Sequence, residues 1–222
     1  MIDVWNPLTF DAELHSLLTS NAKLVRSYVN REKKIFLTYD HRPTSKPSLL
    51  RPENRHASAF HNLTLALANL MKARAIRAWH YCRLTDAETA LLKRDGIHLS
   101  AVDTLRTRLD ALVAADEIDA AIAAQLFEKS PFQGDQARAR TGKFWLVSDP
   151  QAINDTGVTR LLRYWGGEVA SFWTDDERLL APLETIGHPR ILEVAVPLDQ
   201  THQSYRAGEA VIASYALSLI HI

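Results

Sequence analysis

The stretch RAWHYCRLTDAETALLKRDGIHLS, residues 77–100, constrains the fold more than any other part of the chain. Its first part, within AIRAWHYCRL at 75–84, is rich in aromatic residues and predicts a β-strand. Thr85 then begins a helix, because Glu88 three residues later completes a capping box, and Gly96 ends that helix. The pattern predicts a strand that leads directly into a capped helix, followed by a short strand or turn at IHLS.

The order of the other predicted elements indicates the fold class. Apolar residues at helical spacing predict a helix within residues 8–30, a second over 56–73 and a helical hairpin at about 100–130. Later helices are predicted over 155–165 and over 175–187. Strand-like stretches crowd the second half, at 143–148, 168–173, 190–198 and 209–219. We therefore expect an α+β fold with a helical N-terminal half and a mixed or antiparallel sheet in the C-terminal half.

A proline-rich stretch at residues 40–55 predicts a linker or a long loop. We therefore expect residues 1–55 to form a helical N-terminal appendage with this loop, and residues 56–222 to form the main α+β domain. The final residues, LSLIHI, resemble the read-through of a sequencing adapter as much as an ordinary apolar terminal strand, and we assign them no function.

The composition limits the cellular compartment and the classes of binding partner that we expect. The 26 basic and 26 acidic side chains balance, which argues against a dedicated nucleic-acid binder but leaves room for a local basic patch. The single cysteine, Cys82, excludes an intrachain disulfide and a multi-cysteine zinc site. The N-terminus lacks the pattern of a signal peptide, and no run approaches the ~18 apolar residues of a membrane span. We expect a cytoplasmic protein with no membrane partner and no metal.

Three residues carry the candidate chemistry. On a strand, His80 and Cys82 share one face, so His80 either lines a cleft or is a structural residue near the core. Glu168 follows a glycine pair at the predicted start of a strand, where a carboxylate is either functional or paired with an arginine. Glu209 begins the strand predicted at 209–219 and suits a cleft edge, whereas Glu193 lies inside a strand and suits pairing with a base.

A histidine on a strand, a capped helix ending at DGI and later strand-borne glutamates resemble the ADP-ribosyltransferase-like family. The resemblance implies an enzyme that uses NAD as a substrate, bound in a cleft between two sheets. It implies that His80 bonds a ribose hydroxyl and that Glu168 or Glu209 stabilises an oxocarbenium-like ribose. It implies that Tyr81 or Tyr164 stacks on nicotinamide. It implies that one of several arginines holds the pyrophosphate, namely Arg77, Arg83, Arg138 or Arg140.

These observations favour an ADP-ribosyl transferase or NAD glycohydrolase-like enzyme that binds a small-molecule nucleotide, with a protein or nucleic acid as acceptor. The alternative is a non-catalytic interaction protein, such as an immunity or stress-system partner, with aromatic residues in its core or at its interface (Trp165, Phe172 and Trp173). A third hypothesis is nucleic-acid binding through Arg138, Arg140 and Lys143. The stretch from FWLVSDP to LLRYWGGE is also similar to one in a group of uncharacterised bacterial proteins.

Overall fold

The computed structural model describes residues 1–41 and 50–220, which form two compact units. Unit 1 comprises Met1–Ala78 with Val194–Ile222, and unit 2 comprises Trp79–Glu193. The predicted division after residue 55 falls inside unit 1. The middle of the predicted proline-rich loop, residues 42–49, lies outside the described residues, as do the last two residues of LSLIHI.

Ten α-helices and two strands follow one another in the described chain. The helices are α1 Ala12–Ser20, α2 Ala22–Ile35, α3 Ala57–Met71, α4 Asp86–Asp95, α5 Val102–Ala114, α6 Ala120–Glu128, α7 Ala137–Arg140, α8 Thr156–Arg163, α9 Glu177–Thr185 and α10 Ser204–Ile220. The strands are β1 Ala75–Leu84 and β2 His188–Pro197. The expected α+β class is confirmed, and each helix within these described residues is too short or too polar to span a bilayer.

β1 and β2 form a two-stranded antiparallel sheet. In unit 1 the Leu198 amide donates to the Arg74 carbonyl at 2.9 Å, just beyond one end of the sheet. In unit 2 the Cys82 thiol lies 3.9 Å from the Arg190 carbonyl, near the other end. Both strands were predicted from sequence. β1 is covered on both faces, whereas β2 alternates between half-buried and exposed residues, as a strand with one solvent face does.

Unit 1 is built on the packing of α10 against α3. The prediction of a strand at 209–219 is wrong, because that stretch lies inside α10. Its buried residues recur at helical spacing: Ala207, Val211, Ile212 and Ser214. Gly208 allows close approach, since a Cβ there would lie 2.8 Å from the backbone nitrogen of Ala68. A larger residue at this position would push the two helices apart.

Unit 2 packs α5, α6 and α9 around Trp165, which is completely buried. Two predicted strands are wrong in this unit. The stretch at 143–148 contributes only a single antiparallel bridge, between Val147 and Trp79. The stretch at 168–173 forms two short 3₁₀ turns, Gly167–Val169 and Ser171–Trp173. A left-handed Gly166 and a positive φ at Gly167 start this region as a turn, so it cannot extend as a strand.

Candidate functional site

His80 lies in the middle of β1 and is held by the backbone of a neighbouring segment. Its Nδ1 lies 2.8 Å from the Trp145 carbonyl oxygen, and its ring lies 4.3 Å from the ring of Phe144. Because a carbonyl only accepts, Nδ1 carries the proton, and Nε2 of the neutral ring is an acceptor with no hydrogen-bond partner among the described residues. Burial lowers the pKa of His80 below its ordinary value, which keeps the ring neutral at pH 7.

Glu168 lies in the same unit, on the turn after the glycine pair. Its carboxylate forms an ion pair with Arg140, and its side chain is 37% exposed. The Trp173 indole donates to the Glu168 backbone carbonyl at 2.6 Å, which fixes the turn. The charge of Glu168 acts to raise the pKa of His80, although burial has the larger, opposite effect. The two side chains therefore share one electrostatic environment.

Trp145 adds an exposed aromatic surface to this group. Its carbonyl holds His80, while its side chain remains on the surface, with the residue 54% exposed. The Arg140 guanidinium lies 5.6 Å from the indole centroid, within range of a cation–π contact. Arg140 thus contacts both Trp145 and Glu168. A planar ligand placed on the indole would lie beside a carboxylate and an arginine.

A second polar cluster is centred on Glu88, the acid of the predicted capping box. Its carboxylate accepts from the Thr85 amide at 2.9 Å, the Trp165 indole at 3.0 Å and Nε of Arg108 at 2.7 Å. The Arg108 guanidinium also lies 4.5 Å from the Trp165 ring centroid. Burial acts to raise the pKa of Glu88, but the charge of Arg108 and these hydrogen bonds outweigh it, so the pKa lies below its ordinary value.

The tyrosines to which the resemblance assigns a stacking role are both buried. Tyr81 is 4% exposed, and its hydroxyl bonds the backbone nitrogen and carbonyl of Gln151 at 2.6 Å and 2.9 Å. Tyr164 is 7% exposed and belongs to the core of unit 2. Neither ring is open to a ligand.

The other predicted residues either belong to unit 1, are engaged by other groups or are exposed on the surface of unit 2. Glu209 lies on α10 in unit 1, where it pairs with Arg206 at 2.6 Å. Arg77 also belongs to unit 1. Arg83 donates to the Ile186 carbonyl at 2.8 Å, and Arg138 is exposed on α7. Of the three predicted catalytic residues, His80 and Glu168 belong to unit 2, where the charge of Glu168 acts on the pKa of His80.

Sequence reasoning missed the contributions of Trp145 and Arg108. Trp145 was predicted to lie on a strand, and no local sequence pattern indicates that its side chain is exposed. Arg108 is 20 positions from Glu88, and Trp165 is 77 positions from it, so no sequence pattern links the three. Within residues 1–41 and 50–220, no three His, Cys, Asp or Glu side chains form a group that could hold a metal ion. No protein family, curated protein or solved structure matches the chain.

Proposed function

We propose that the protein is an NAD-using ADP-ribosyl transferase or NAD glycohydrolase-like enzyme with its reaction centre at His80 and Glu168. The observation that carries the proposal is His80, whose Nδ1 is held by the Trp145 carbonyl so that Nε2 is an acceptor, together with the Glu168 carboxylate, whose charge acts on the same ring. This pair supplies a hydroxyl-binding group and a negative charge, and the negative charge stabilises the positive charge that develops as a ribosyl bond breaks.

His80 acts as a binding group in this mechanism. With Nδ1 donating to the Trp145 carbonyl, the lone pair of Nε2 accepts a hydrogen bond from a ribose hydroxyl. The bond to the backbone fixes both the tautomer and the orientation of the ring, so this acceptor is preorganised. Because burial keeps the pKa of His80 low, the acceptor persists through neutral pH.

Glu168 acts on the charge that develops during the reaction. As the bond between C1′ and the nicotinamide nitrogen breaks, its electron pair leaves with nicotinamide and the ribose becomes positively charged. A carboxylate beside the ribose stabilises that charge more than it stabilises the substrate. Water or an acceptor hydroxyl then forms the new bond to C1′ and loses its proton. Arg140, which pairs with Glu168, orients the carboxylate.

Trp145 takes the stacking role in place of the buried tyrosines. At 54% exposure it is the most exposed tryptophan of unit 2 within the described chain. An indole surface stacks on a planar heteroaromatic ring such as nicotinamide, and the neighbouring carboxylate favours a ring that carries positive charge. Trp145 thus has two roles: its side chain stacks on the ring, and its backbone carbonyl holds His80.

The experiment measures NAD binding and nicotinamide release for wild-type protein and matched variants. Glu168→Gln should lower kcat ~100-fold, the range seen when one preorganised electrostatic group is removed. Glu184→Gln is the control, because Glu184 is also 37% exposed and paired with an arginine in unit 2. His80→Asn keeps the donor near Nδ1 but lacks the Nε2 acceptor, so KM should rise ~3–10-fold, the worth of one hydrogen bond. Wild-type protein that neither binds nor hydrolyses NAD overturns the proposal.

A non-catalytic interaction protein is the second candidate, since the surface of unit 2 exposes two large aromatic side chains. Trp145 is 54% and Phe172 is 38% exposed, and such residues are enriched at protein interfaces. This candidate expects no NAD affinity in wild-type protein. It also expects no difference between Glu168→Gln and Glu184→Gln in the assay above, so the same measurement separates the two functions.

A further inference from the structure

A shallow pocket opens beside the N-terminal part of α5 in unit 2. It is lined by Ser100, Ala101, Thr104, Leu105, Arg108, Phe132 and Val169. Its empty space is about 180 Å³, open solvent at the mouth included. The pocket is much smaller than the ~300–1,000 Å³ clefts that enclose a drug-sized ligand, so a group bound here lies partly in solvent.

Arg108 is the one charged residue among those that line the pocket, and it is held in place from two sides. Its Nε donates to Glu88 and its guanidinium lies over Trp165. Within the described part of the chain, Glu88 is its one hydrogen-bond partner, so the two terminal nitrogens are unused. The side chain is 26% exposed, which leaves these donors accessible. Arg108 therefore adds to the lining a guanidinium that is held in place and has terminal nitrogens available to donate to a ligand.

The polar groups around Arg108 complement an anion. Ser100 and Thr104, whose side chains carry hydroxyl groups, are among the lining residues, and none of the lining residues is acidic. The carboxylate of Glu88 is already occupied by the Thr85 amide, the Trp165 indole and Nε of Arg108. We propose that this pocket binds a phosphoryl group, with the terminal nitrogens of Arg108 and the two hydroxyls donating to its oxygens.

The pocket is also relevant to the proposed enzymatic function, because it contains Arg108. The charge of Arg108 acts on His80, so the two residues are electrostatic neighbours. Arg83 is engaged by backbone carbonyls and Arg140 by Glu168, whereas Arg108 retains free donors. The assignment of this pocket to one phosphate of the NAD diphosphate rests on the proposed function. Binding of a phosphoryl group as such does not.

The test titrates inorganic phosphate, pyrophosphate and NAD at constant ionic strength, with affinity measured by calorimetry and by ligand-induced thermal shift. The variant is Thr104→Glu, which places a carboxylate among the lining residues one helical turn before Arg108, where it competes with an anion for the guanidinium. The control is Thr107→Glu, the same change at an exposed position of α5 outside the pocket. We expect wild-type protein and Thr107→Glu to bind pyrophosphate equally, and Thr104→Glu to bind it at least tenfold more weakly.

The outcomes separate this inference from the proposed function. Pyrophosphate binding that Thr104→Glu weakens and Thr107→Glu does not supports the pocket, whether or not NAD binds. If NAD fails to bind while this pattern holds, the proposed function falls and the phosphoryl site stands. If wild-type protein binds neither phosphate nor pyrophosphate, or if Thr104→Glu binds both as well as wild-type protein does, the inference is overturned even where NAD is hydrolysed.

Discussion

Replacement of Glu88 by alanine should destabilise unit 2 more than any other single loss of a carboxylate described above. The change removes the acceptor for three donors: the Thr85 amide, the Trp165 indole and Nε of Arg108. Glu88 and Arg108 have side chains only 17% and 26% exposed, so water replaces the lost partner poorly. The Arg108 guanidinium would remain without its carboxylate partner, and the buried indole N–H of Trp165 would remain without an acceptor.

The magnitude follows from these three losses. Breaking a fully buried ion pair costs ~3–5 kcal/mol, which we reduce to ~2–3 kcal/mol because both side chains keep some contact with solvent. The unpaired indole N–H of Trp165 adds ~1–2 kcal/mol, and the lost capping bond adds ~0.5 kcal/mol. Since neighbouring effects overlap, we expect about 4 kcal/mol, or a fall in Tm of ~8–16 °C for a chain of this size.

Urea unfolding followed by tryptophan fluorescence measures this loss, with Tm from a thermal scan. Glu128→Ala, at an exposed position of α6, is the control and should change stability by no more than ~0.5 kcal/mol. Glu88→Gln keeps an acceptor oxygen without the charge and should fall between the two. A loss below ~1 kcal/mol for Glu88→Ala would refute the reasoning, since surface ion pairs contribute about that much.

The stability difference between wild-type protein and Glu88→Gln should change with pH in a defined direction. The pKa of Glu88 in the folded protein lies below its ordinary value of 4.5. Its contribution is therefore fully present above pH 4.5 and is lost as the pH falls through the lower, folded value. The stability gap between wild-type protein and Glu88→Gln should be constant near pH 7 and should shrink in acid. A gap that grows in acid would contradict the assigned ion pair.

Two further predictions concern Gly187 and Cys82. Gly187→Ala should cost well over ~1 kcal/mol in urea unfolding, because its φ is +61° and a Cβ would lie 2.2 Å from the Leu84 carbonyl oxygen. Gly142 has a φ of +71° but open space where a Cβ would lie, so Gly142→Ala should cost only the ~1 kcal/mol of backbone strain. Equal losses of stability in the two variants would contradict the steric argument. Burial raises the pKa of Cys82 to about 12 from 9.0. A thiol reagent at pH 8 should therefore react far more slowly with native protein than with protein in urea, with roughly 1,000-fold less thiolate available; equal rates would place Cys82 on the surface.

Helix α10 shows where a sequence pattern is ambiguous. Its apolar stretch AVIASYAL suits a strand or a helix on composition, and the strand prediction was wrong. The helix is favoured once it packs against α3, where Gly208 permits close contact with the backbone of Ala68. The turn at Gly166 and Gly167 is a second case, because positive φ values redirect a stretch that composition alone assigns to a strand.

The sequence by itself determined the elements that depend on neighbouring residues: β1, β2, and the Thr85–Glu88 capping box with its helix end at Gly96. These follow from alternation, capping and a glycine stop, whose energies act within a few residues. Only the tertiary structure decided that Glu88 also holds Arg108 and Trp165, and that His80 lies against the Trp145 carbonyl. Those contacts join positions 20, 77 and 65 residues apart, and they form because packing must give each buried polar group a partner.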